Sequence, residues 1–349
     1  MPALLWLIER LARRHAVTIY VLRYHPQACE YRLLGATVRD LGRPSGFWHQ
    51  QMALVRAMRS DGPFDILHAY WALPSGLAAG VAGRRLRIPS VVTLDSGELV
   101  ALNDIGYGLQ CRRAQRLAVA ATLRLTDAVT VCSEYMKRLA VRHGVDPHLI
   151  PFGVDTGLFH PVELPEGPPW RLVHVASLNR VKDQPTLLEA FRRVRERIPD
   201  VHLDILGGDT LNGAVQREAA RLGLSGDVTF HGVQPSEVVA RSYQRAHLAV
   251  MASRHEAAGV ALLEAAACGV ATVGTAVGYL ADWTPHAAVG VAVGDVQGLA
   301  DSIVALLTDL PRRRQIAAAA RQRSLARDAD WTAERMTELY DDILARSKS

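Results

Sequence analysis

Short apolar segments alternate with segments of helical periodicity along most of the chain. In the first half, the β-branched segments DILHAY (65–70), SVVTLD (90–95) and DAVTVCS (127–133) predict buried strands. The intervening segment 73–86 and the segment near 134–143 have the spacing of helices. Strands that alternate with helices in this way are typical of α/β domains with parallel sheets.

The same alternation begins again after residue 170, which predicts a second α/β domain. A helix is predicted at 184–198, where a proline lies in the first turn, and another at 259–269, which ends at a glycine. The strands predicted in this half are RLVHVAS (171–177), VHLDILG (201–207), VTFHG (228–232), LAVMAS (248–253) and VATVGT (270–275).

A proline-rich segment, VELPEGPPW (162–170), separates the two halves. Proline suits neither a strand interior nor a helix interior, so this segment predicts a linker. The sequence thus predicts two doubly wound, Rossmann-like domains, at 1–163 and 164–330. Ligands of such domains bind at the carboxyl ends of the strands, and we expect the two domains to face a central cleft.

The first residues follow a helical pattern. Leu4, Leu7, Ile8 and Leu11 recur at helical spacing before the predicted strand VTIYVL (17–22), so the printed chain begins within a helix.

The same helix carries a basic face. Arg10, Arg13 and Arg14 lie beside Trp6 and the leucines. This combination fits a peripheral contact with the inner face of a membrane that carries a lipid acceptor. A stripe that faces the protein core is the more common explanation.

Composition changes this picture little. Of 349 residues, 49% are hydrophobic and 21% are charged, with a net charge of +5, which is ordinary for a globular protein of two domains. The mild positive charge suits a phosphate-bearing ligand or an anionic membrane, but many other enzymes share it. No aromatic-and-basic module predicts nucleic-acid binding. The four cysteines have no C-x-x-C spacing, and no segment has a secretory or membrane-spanning pattern, which predicts a cytoplasmic protein with reduced thiols.

Two glutamates flank a turn of small residues in SRHEAAGVALLEAAACG (253–269). Glu256 follows a predicted strand, whereas Glu264 lies among apolar residues of a predicted helix, where an unpaired carboxylate is unfavourable. The small residues let backbone N–H groups approach an anion, and the helix N-terminus favours a diphosphate. Glu264 is then placed to accept two ribose hydroxyls, with Glu256 at the other end of the ligand. The alternative is that Glu256 caps the helix and Glu264 is solvated.

Cations for a diphosphate are available nearby. SLNRVKD (177–183) brings Arg180 and Lys182 to the end of the first strand of the second domain, although taken alone they are ordinary loop charges. Gly207 opens the glycine pair of ILGGD (205–209) at another strand end, which is a weak signal by itself.

Together these segments resemble the family-4 retaining glycosyltransferases of the GT-B fold. The resemblance covers nearly the whole chain, and its most specific element is the pair of glutamates separated by seven residues and followed by Cys-Gly. The segments that carry it are HVASLNRVKDQPTLLEAFRRV, LDILGGD, VTFHGV, SRHEAAGVALLEAAACG and, before the second domain, IPFGVDTGLFHP (150–161).

The resemblance implies that a nucleotide-diphosphate sugar binds to the second domain. Glu264 would hold the ribose, and Glu256 would lie near the hydroxyls of the transferred sugar. Lys182, helped by Arg180, would neutralise the departing diphosphate. The further donor-binding positions that it implies are the backbone of Ala258, Gly259 and Val260 at the phosphate, Val233 at the base, and Gly207.

The implied reaction transfers the sugar to an acceptor hydroxyl with retention of configuration. Stabilising the negative charge of the leaving group is then the main catalytic task. The family's leaving phosphate helps to deprotonate the acceptor, so the resemblance implies no protein nucleophile, no metal and no cofactor besides the donor. The residues agree, because the thirteen histidines form no ligand-spaced cluster and DAD (328–330) is typical of a helix cap.

The acceptor is expected on the first domain. VVTLDSGELV (91–100) resembles the family's strand and loop at the cleft, with Asp95 where histidine is common and Glu98 at a recurrent acidic position. Asp95 is expected to orient an acceptor hydroxyl or to act as a base, with an exposed loop carboxylate as the alternative. His68, next to Trp71, resembles another cleft element, with core packing as the alternative. The acceptor class is open: a glycan, a lipid or a small molecule.

The chain departs from the family pattern at three points. Ser177 stands where arginine is usual, Ala257 replaces a glycine, and the expected opening strand and glycine-rich loop do not precede the first helix. By the same resemblance, the C-terminal helix (331–349) is expected to pack back on the first domain.

The leading interpretation is therefore a metal-independent glycosyltransferase. The alternative is a non-catalytic, GT-B-like nucleotide-binding or partner subunit. A nicotinamide dehydrogenase is disfavoured, because no G-x-G-x-x-G follows a predicted strand.

Overall fold

The computed structural model of the chain describes residues 2–22, 24–163 and 166–348. They form two compact units. The first comprises Met1–Phe152 and Ala329–Ser349, and the second comprises Gly153–Asp328.

The sequence predicted a domain boundary after residue 163. In the structure the boundary between the units follows Phe152. Residues 153–163 pack within the second unit. Phe159 is buried there, with its ring centroid 6.3 Å from that of Tyr243, and Gln244 Nε2 donates to the backbone carbonyl of His160 at 2.9 Å. These contacts precede the prolines, which is why the proline-rich segment does not mark the boundary.

The first unit contains two sheets among its described residues. A three-stranded sheet has the order β1-β3-β2, and a four-stranded parallel sheet runs from β4 to β7 in sequence order. The strands are β1 (Thr18–Val21), β2 (Cys29–Leu33), β3 (Ala36–Asp40), β4 (Leu67–Tyr70), β5 (Ser90–Leu94), β6 (Ala128–Val131) and β7 (His148–Leu149). The helices are α1 (Pro2–Ala12), α2 (Phe47–Asp61), α3 (Leu77–Leu86), α4 (Arg113–Leu125), α5 (Glu134–Arg142) and the C-terminal helix (Ala329–Lys348), with a π-helical turn at Ala72–Gly76 and a 3₁₀ turn at Leu109–Cys111.

The antiparallel pair β2–β3 is a feature that the sequence did not predict. Leu34 and Gly35 join the two strands, with φ values of 50° and 85°. Two successive positive φ values suit the twist of a tight hairpin, but the usual sequence signal is Asn-Gly or Asp-Gly. Because leucine occupies the first turn position, the sequence lacks the usual signal for a hairpin here. The first unit therefore has a mixed three-stranded sheet besides its four-stranded parallel one.

Helix α1 packs on the C-terminal helix within the first unit. Leu7 and Leu11 share a buried cluster with Met336 and Tyr340. Trp6 is also buried. Arg10 Nε donates to Asp330 Oδ1 at 2.9 Å. The apolar stripe of α1 thus faces the core, which supports the core-facing alternative over a membrane contact through this stripe.

The second unit is one six-stranded sheet with helices around it. Each paired neighbour is parallel, in the order β10-β9-β8-β11-β12-β13. The strands are β8 (Trp170–Val175), β9 (Val201–Leu206), β10 (Val228–Gly232), β11 (Leu248–Met251), β12 (Ala271–Thr275) and β13 (Val289–Val291). The helices are α6 (Gln184–Arg197), α7 (Ala214–Arg221), α8 (Ser236–Gln244), α9 (Val260–Ala267), α10 (Gly278–Trp283), α11 (Val296–Thr308) and α12 (Leu310–Ala326).

The core of the second unit lies between this sheet and its helices. Leu187, Phe191 and Val194 of α6 pack with Leu203 and Ile205 of β9, and all five are at most 1% exposed. The strands and helices predicted in this half are present with slightly shorter bounds, and the α/β class with parallel sheets is confirmed.

No helix in the described part of the chain is both long and apolar enough to cross a membrane.

Candidate functional site

The second unit has a point where the order of its strands changes direction. From β8 the chain moves outward through β9 to β10, and from β11 it moves the other way through β12 to β13. The loops that follow β8 and β11 therefore diverge at the carboxyl edge of the sheet. Such a switch point is where open α/β sheets bind ligands, and the predicted donor residues lie on these two loops.

Lys182 and Glu256 meet at this point. Lys182 Nζ lies 2.5 Å from Glu256 Oε1, which also accepts a hydrogen bond from Ser253 Oγ at 2.7 Å. The side chains of Lys182 and Glu256 are 22% and 10% exposed. The pair is thus largely shielded from water, where an ion pair is screened less than on the surface.

Glu256 is held in its ionised form. Burial by itself would raise its pKa, but the charge of Lys182 and the hydrogen bonds from Lys182 and Ser253 keep the pKa of Glu256 below its ordinary value. Because the folded pKa is depressed, the stabilisation is present above the ordinary pKa and is lost as pH falls through the folded value. At neutral pH Glu256 is therefore a carboxylate.

Backbone contacts fix the two loops. Arg254 N–H donates to the Val181 carbonyl at 2.8 Å, so the loop after β11 is hydrogen-bonded to the loop that carries Lys182. Tyr279 N–H donates to the Ala258 carbonyl at 2.7 Å. A Cβ on Gly278 would lie 2.4 Å from the same oxygen, so only glycine allows this approach. The turn before α9 is thereby held from both sides.

Helix α9 begins directly after this turn. Gly259 is its N-cap, with φ of 87°, a left-handed conformation that favours glycine. Ala257 and Ala258 are buried, whereas Val260 is partly exposed. The first N–H groups of a helix have no partner within it and carry the positive end of its dipole, so this turn suits an anion.

Glu264 lies in α9 and is 4% exposed. Burial raises its pKa to about 8, which the hydrogen-bonding contact with Tyr243 opposes. The Tyr243 hydroxyl lies 3.4 Å from Glu264 Oε2 and donates to the Ala261 carbonyl at 3.0 Å. The unliganded carboxyl group is therefore mostly protonated at pH 7. The alternative of a solvated Glu264 is wrong.

The ends of β8, β9 and β10 also meet at this edge. Gly207 has φ of 146°, and a Cβ on it would lie 2.0 Å from the Ala176 carbonyl oxygen. Its N–H donates to the Gly232 carbonyl at 2.8 Å. Val233 follows and is 79% exposed, and Arg180 is exposed as well. The structure thus places Gly207 as a packing glycine and Val233 as an open apolar surface.

Two polar residues of this site were missed by sequence reasoning. His174 is buried within β8, with Nδ1 2.8 Å from the Val250 carbonyl and Nε2 3.3 Å from Gln184 Nε2. Gln184 also donates to the Ser177 carbonyl at 3.1 Å. Burial lowers the pKa of His174 to about 4, so the ring is neutral and joins β8 to β11 and to the loop after β8. The only sequence signal was a polar residue inside an otherwise apolar strand.

The acidic candidates of the first unit lie after β5. Asp95 is 9% exposed, and the Cys132 thiol donates to its Oδ1 at 3.6 Å, so the alternative of an exposed loop carboxylate is wrong. Glu98 is buried and accepts the backbone N–H of Ser96 at 2.7 Å and of Asp95 at 3.3 Å. Burial raises the pKa of Glu98. Glu98 thus stabilises the loop after β5 through these hydrogen bonds, and Asp95 lies at the carboxyl edge of the parallel sheet.

His68 lies in a polar network of the first unit. Its Nδ1 is 2.6 Å from the Tyr340 hydroxyl, and its Nε2 is 2.7 Å from Thr93 Oγ1. Burial lowers the pKa of His68 to about 3. Both ring nitrogens are engaged within the unit, which supports core packing over contact with an acceptor.

A cavity of about 420 Å³ lies at the other edge of the second unit's sheet. Its lining includes Arg171, Val201 and Asp227, near the amino ends of β8, β9 and β10. Since ligands of such sheets bind at the carboxyl ends, the cavity is separate from the candidate site.

Comparison with known proteins decides the family. The model of the glycosyl transferases group 1 matches residues 158–323, and that of the glycosyl transferase 4-like domain matches residues 2–153. The chain belongs to the family-4 glycosyltransferases. It is thus an enzyme that transfers a sugar from a nucleotide-diphosphate sugar to an acceptor hydroxyl with retention, and not a non-catalytic subunit.

Curated relatives of this family align with most of the chain. A D-inositol 3-phosphate glycosyltransferase of Xylanimonas cellulosilytica is 29% identical over 318 residues, which are 84% of this chain and 75% of that protein. A GDP-mannose-dependent alpha-(1-6)-phosphatidylinositol monomannoside mannosyltransferase of Mycolicibacterium smegmatis is 26% identical over 330 residues, which are 88% of this chain and 84% of that protein.

Solved structures agree on the fold. Sucrose-phosphate synthase from Thermosynechococcus elongatus has a TM-score of 0.82 at 23% identity and covers 97% of this chain and 92% of its own. Anabaena HepE, solved with UDP and glucose, has a TM-score of 0.76 at 17% identity and covers 97% of this chain and 95% of its own. The GT-B fold predicted from the sequence is confirmed.

Proposed function

We propose that the carboxyl edge around β8 and β11 in the second unit binds the nucleotide-sugar donor. Glu264 accepts hydrogen bonds from the ribose hydroxyls, and the turn Ala258–Val260 binds the diphosphate through its backbone N–H groups. Lys182 neutralises the charge that develops on the leaving diphosphate, and Glu256 binds hydroxyls of the transferred sugar.

One observation carries this proposal: the shielded ion pair of Lys182 and Glu256 beside the N-terminus of α9. A diphosphate that reaches this point meets both Lys182 and the N–H groups at the start of α9, so its oxygens compete with Glu256 for Lys182. Once Lys182 turns to the phosphate, Glu256 becomes available to accept hydroxyl groups. The same pair thus serves both ends of the bond that breaks, and charge stabilisation in a shielded site is a large catalytic effect.

We further propose that this chemistry needs no metal ion. Lys182 and the α9 terminus supply positive charge, and the exposed Arg180 lies on the same loop as Lys182 and is free of the buried pair. Val233, which is open to solvent next to Gly208, offers an apolar surface for the base.

The acceptor is proposed to contact the first unit near Asp95. Several relatives are named for D-inositol 3-phosphate, which supports a phosphorylated polyol as the first acceptor to test. Glycan and lipid acceptors, the latter with peripheral association at a membrane and a cytoplasmic location, complete the panel.

The experiment is a donor screen followed by two variants. Calorimetric titration with uridine, guanosine and adenosine diphosphates and their sugars identifies the donor. Glu264→Gln should then weaken binding of the nucleotide diphosphate by at least about tenfold, the loss of one or two hydrogen bonds to a charged group. Glu256→Gln should bind the diphosphate at least as tightly as the wild type, because it removes the carboxylate that competes for Lys182, and should lower kcat by about 100-fold. If both variants bind and turn over like the wild type, the assignment is wrong.

A further inference from the structure

Three side chains of types that can bind metal ions converge in the first unit, at the hairpin that the sequence did not predict. His25 Nδ1 lies 3.0 Å from Asp40 Oδ2, and Cys29 Sγ lies 3.4 Å from the same nitrogen. The three ligand atoms all lie within 4.8 Å of one another. This group is independent of the proposed donor site, which belongs to the second unit.

The hairpin itself brings the three residues together. Cys29 and Asp40 are direct partners across the antiparallel pair β2–β3, and His25 precedes Cys29 by four residues. The segment before β2 is also hydrogen-bonded to the Asp40 carboxylate, since the His25 backbone N–H donates to Asp40 Oδ2 at 2.7 Å. Gly42 N–H donates to Asp40 Oδ1 at 2.8 Å. The Asp40 side chain is fully buried, so it is a fixed point of the group.

The contacts do not fit a proton relay of cysteine, histidine and aspartate. A relay uses the two ring nitrogens separately, one toward the nucleophile and the other toward the carboxylate. Here the thiol and the carboxylate both approach Nδ1 of His25. Nδ1 carries at most one proton, so it cannot donate that proton to the carboxylate and accept the thiol proton at the same time. A cation at the centre bonds to all three atoms at once.

Two of the three distances between the ligand atoms are close to those of a tetrahedral site. With zinc bonds of about 2.0–2.1 Å to nitrogen and oxygen and about 2.3 Å to sulfur, the tetrahedron has edges of roughly 3.3 Å between nitrogen and oxygen and roughly 3.6 Å between nitrogen and sulfur. The observed 3.0 Å and 3.4 Å differ from these by a few tenths of an ångström. The third edge, between the Cys29 sulfur and the Asp40 oxygen, is at most 4.8 Å. The Cys29 residue is exposed and the His25 side chain is 42% exposed, so both have room to adjust around an ion.

We propose that His25, Cys29 and Asp40 form a binding site for a divalent transition-metal ion of the zinc class. The nitrogen, sulfur and oxygen set favours zinc over magnesium or calcium, which bind through oxygen. On binding, the Cys29 thiol loses its proton to solvent, and the thiolate with the Asp40 carboxylate balances the two charges of the ion. The ion joins the segment before β2 to β3 and stabilises the hairpin.

The test uses the full, reduced chain and the metals alone. Calorimetric titration with Zn²⁺ should give one ion per chain, and Co²⁺ should give the near-ultraviolet thiolate-to-cobalt band together with the visible absorption of a tetrahedral site. Cys29→Ser should abolish the band and weaken Zn²⁺ binding at least tenfold. Cys111→Ser is the matched control, because Cys111 is a partly buried free cysteine outside the group and should leave both signals unchanged.

A second variant, His25→Gln, keeps the thiol and removes the ring nitrogen. It should also weaken Zn²⁺ binding at least tenfold and should lose the tetrahedral visible absorption, with an unchanged far-ultraviolet circular dichroism spectrum. A Zn²⁺ affinity that is the same in the wild type and in Cys29→Ser would overturn the proposal. So would a cobalt complex without a thiolate band. A band that is lost in Cys111→Ser instead of Cys29→Ser would place the metal elsewhere.

Discussion

Replacing Glu264 by glutamine should make the unliganded protein more stable while it weakens donor binding. The buried carboxyl group has a folded pKa of about 8 against an ordinary value of 4.5. Between these pH values the folded protein retains a proton that the unfolded chain releases. The contribution of Glu264 to stability is therefore greatest below pH 4.5 and declines as pH rises toward 8. Glutamine has nearly the same shape and no proton to lose, so it escapes this decline.

The magnitude follows from the two pKa values. Each pH unit between them is equivalent to about 1.4 kcal/mol, so the contribution of Glu264 to the stability of the wild type is about 3 kcal/mol lower at pH 7 than below pH 4.5. Glu264→Gln should recover up to that amount in the free energy of unfolding of the second unit. For a unit of this size the change corresponds to a rise in Tm of roughly 6–12 °C.

The assay is thermal unfolding of the unliganded wild type and variant between pH 5 and 9, with urea titration at pH 7. The advantage of the variant should grow with pH and become constant above about pH 8. Glu256→Gln is the matched control with the opposite sign, because it leaves the shielded Lys182 without its partner and should lower stability by about 1–3 kcal/mol at pH 7. A Glu264→Gln variant no more stable than the wild type at pH 7, or an advantage that does not vary with pH, would refute the reasoning.

Three further outcomes are expected. In the wild type, the affinity for a nucleotide diphosphate should rise about tenfold per pH unit between pH 6 and 8 and then level off, since hydroxyl binding favours the ionised Glu264 carboxylate. This rise should be absent in Glu264→Gln. Calorimetry in two buffers also measures the released proton. Gly207→Ala should lower the free energy of unfolding by more than about 3 kcal/mol, because its Cβ would lie 2.0 Å from a carbonyl oxygen. In the control Gly226→Ala, the new Cβ would have no atom within 4 Å, so the free energy of unfolding should change by less than about 1 kcal/mol. Equal urea midpoints of the two variants would contradict this. Arg313→Ala should lower the free energy of unfolding by about 3 kcal/mol, because this buried side chain donates to two backbone carbonyls and stacks on a tryptophan ring. The neighbouring Arg314 is exposed, so Arg314→Ala should have an effect below about 1 kcal/mol in the same titration.

Much of the fold could be predicted because local patterns determine it. The buried strands of the second unit are short runs of β-branched residues, and α6 shows a clear apolar face, so periodicity alone finds both. The hairpin β2–β3 escaped because its turn has leucine at a position with positive φ, where the usual signal is asparagine or glycine. The unit boundary escaped because the burial of Phe159 depends on Tyr243, which lies far away in sequence.

The candidate site shows the same division. Glu256, Glu264 and Lys182 were found because charged residues stood in turns or among apolar neighbours, and such residues need partners. That Lys182 and Glu256 pair with each other depends on β8 and β11 being neighbours in the sheet, which spacing does not reveal. The group of His25 and Asp40 was missed for the same reason, since no short ligand spacing links residues that meet across a hairpin.

The most direct test of the donor site is a crystal structure of the chain with its nucleotide diphosphate bound. The account predicts both oxygens of Glu264 within hydrogen-bonding distance, about 2.6–3.2 Å, of the two ribose hydroxyls. It also predicts Lys182 Nζ in contact with a phosphate oxygen in place of Glu256. A ribose bound away from α9, or a Lys182–Glu256 pair unchanged beside the bound diphosphate, would contradict it.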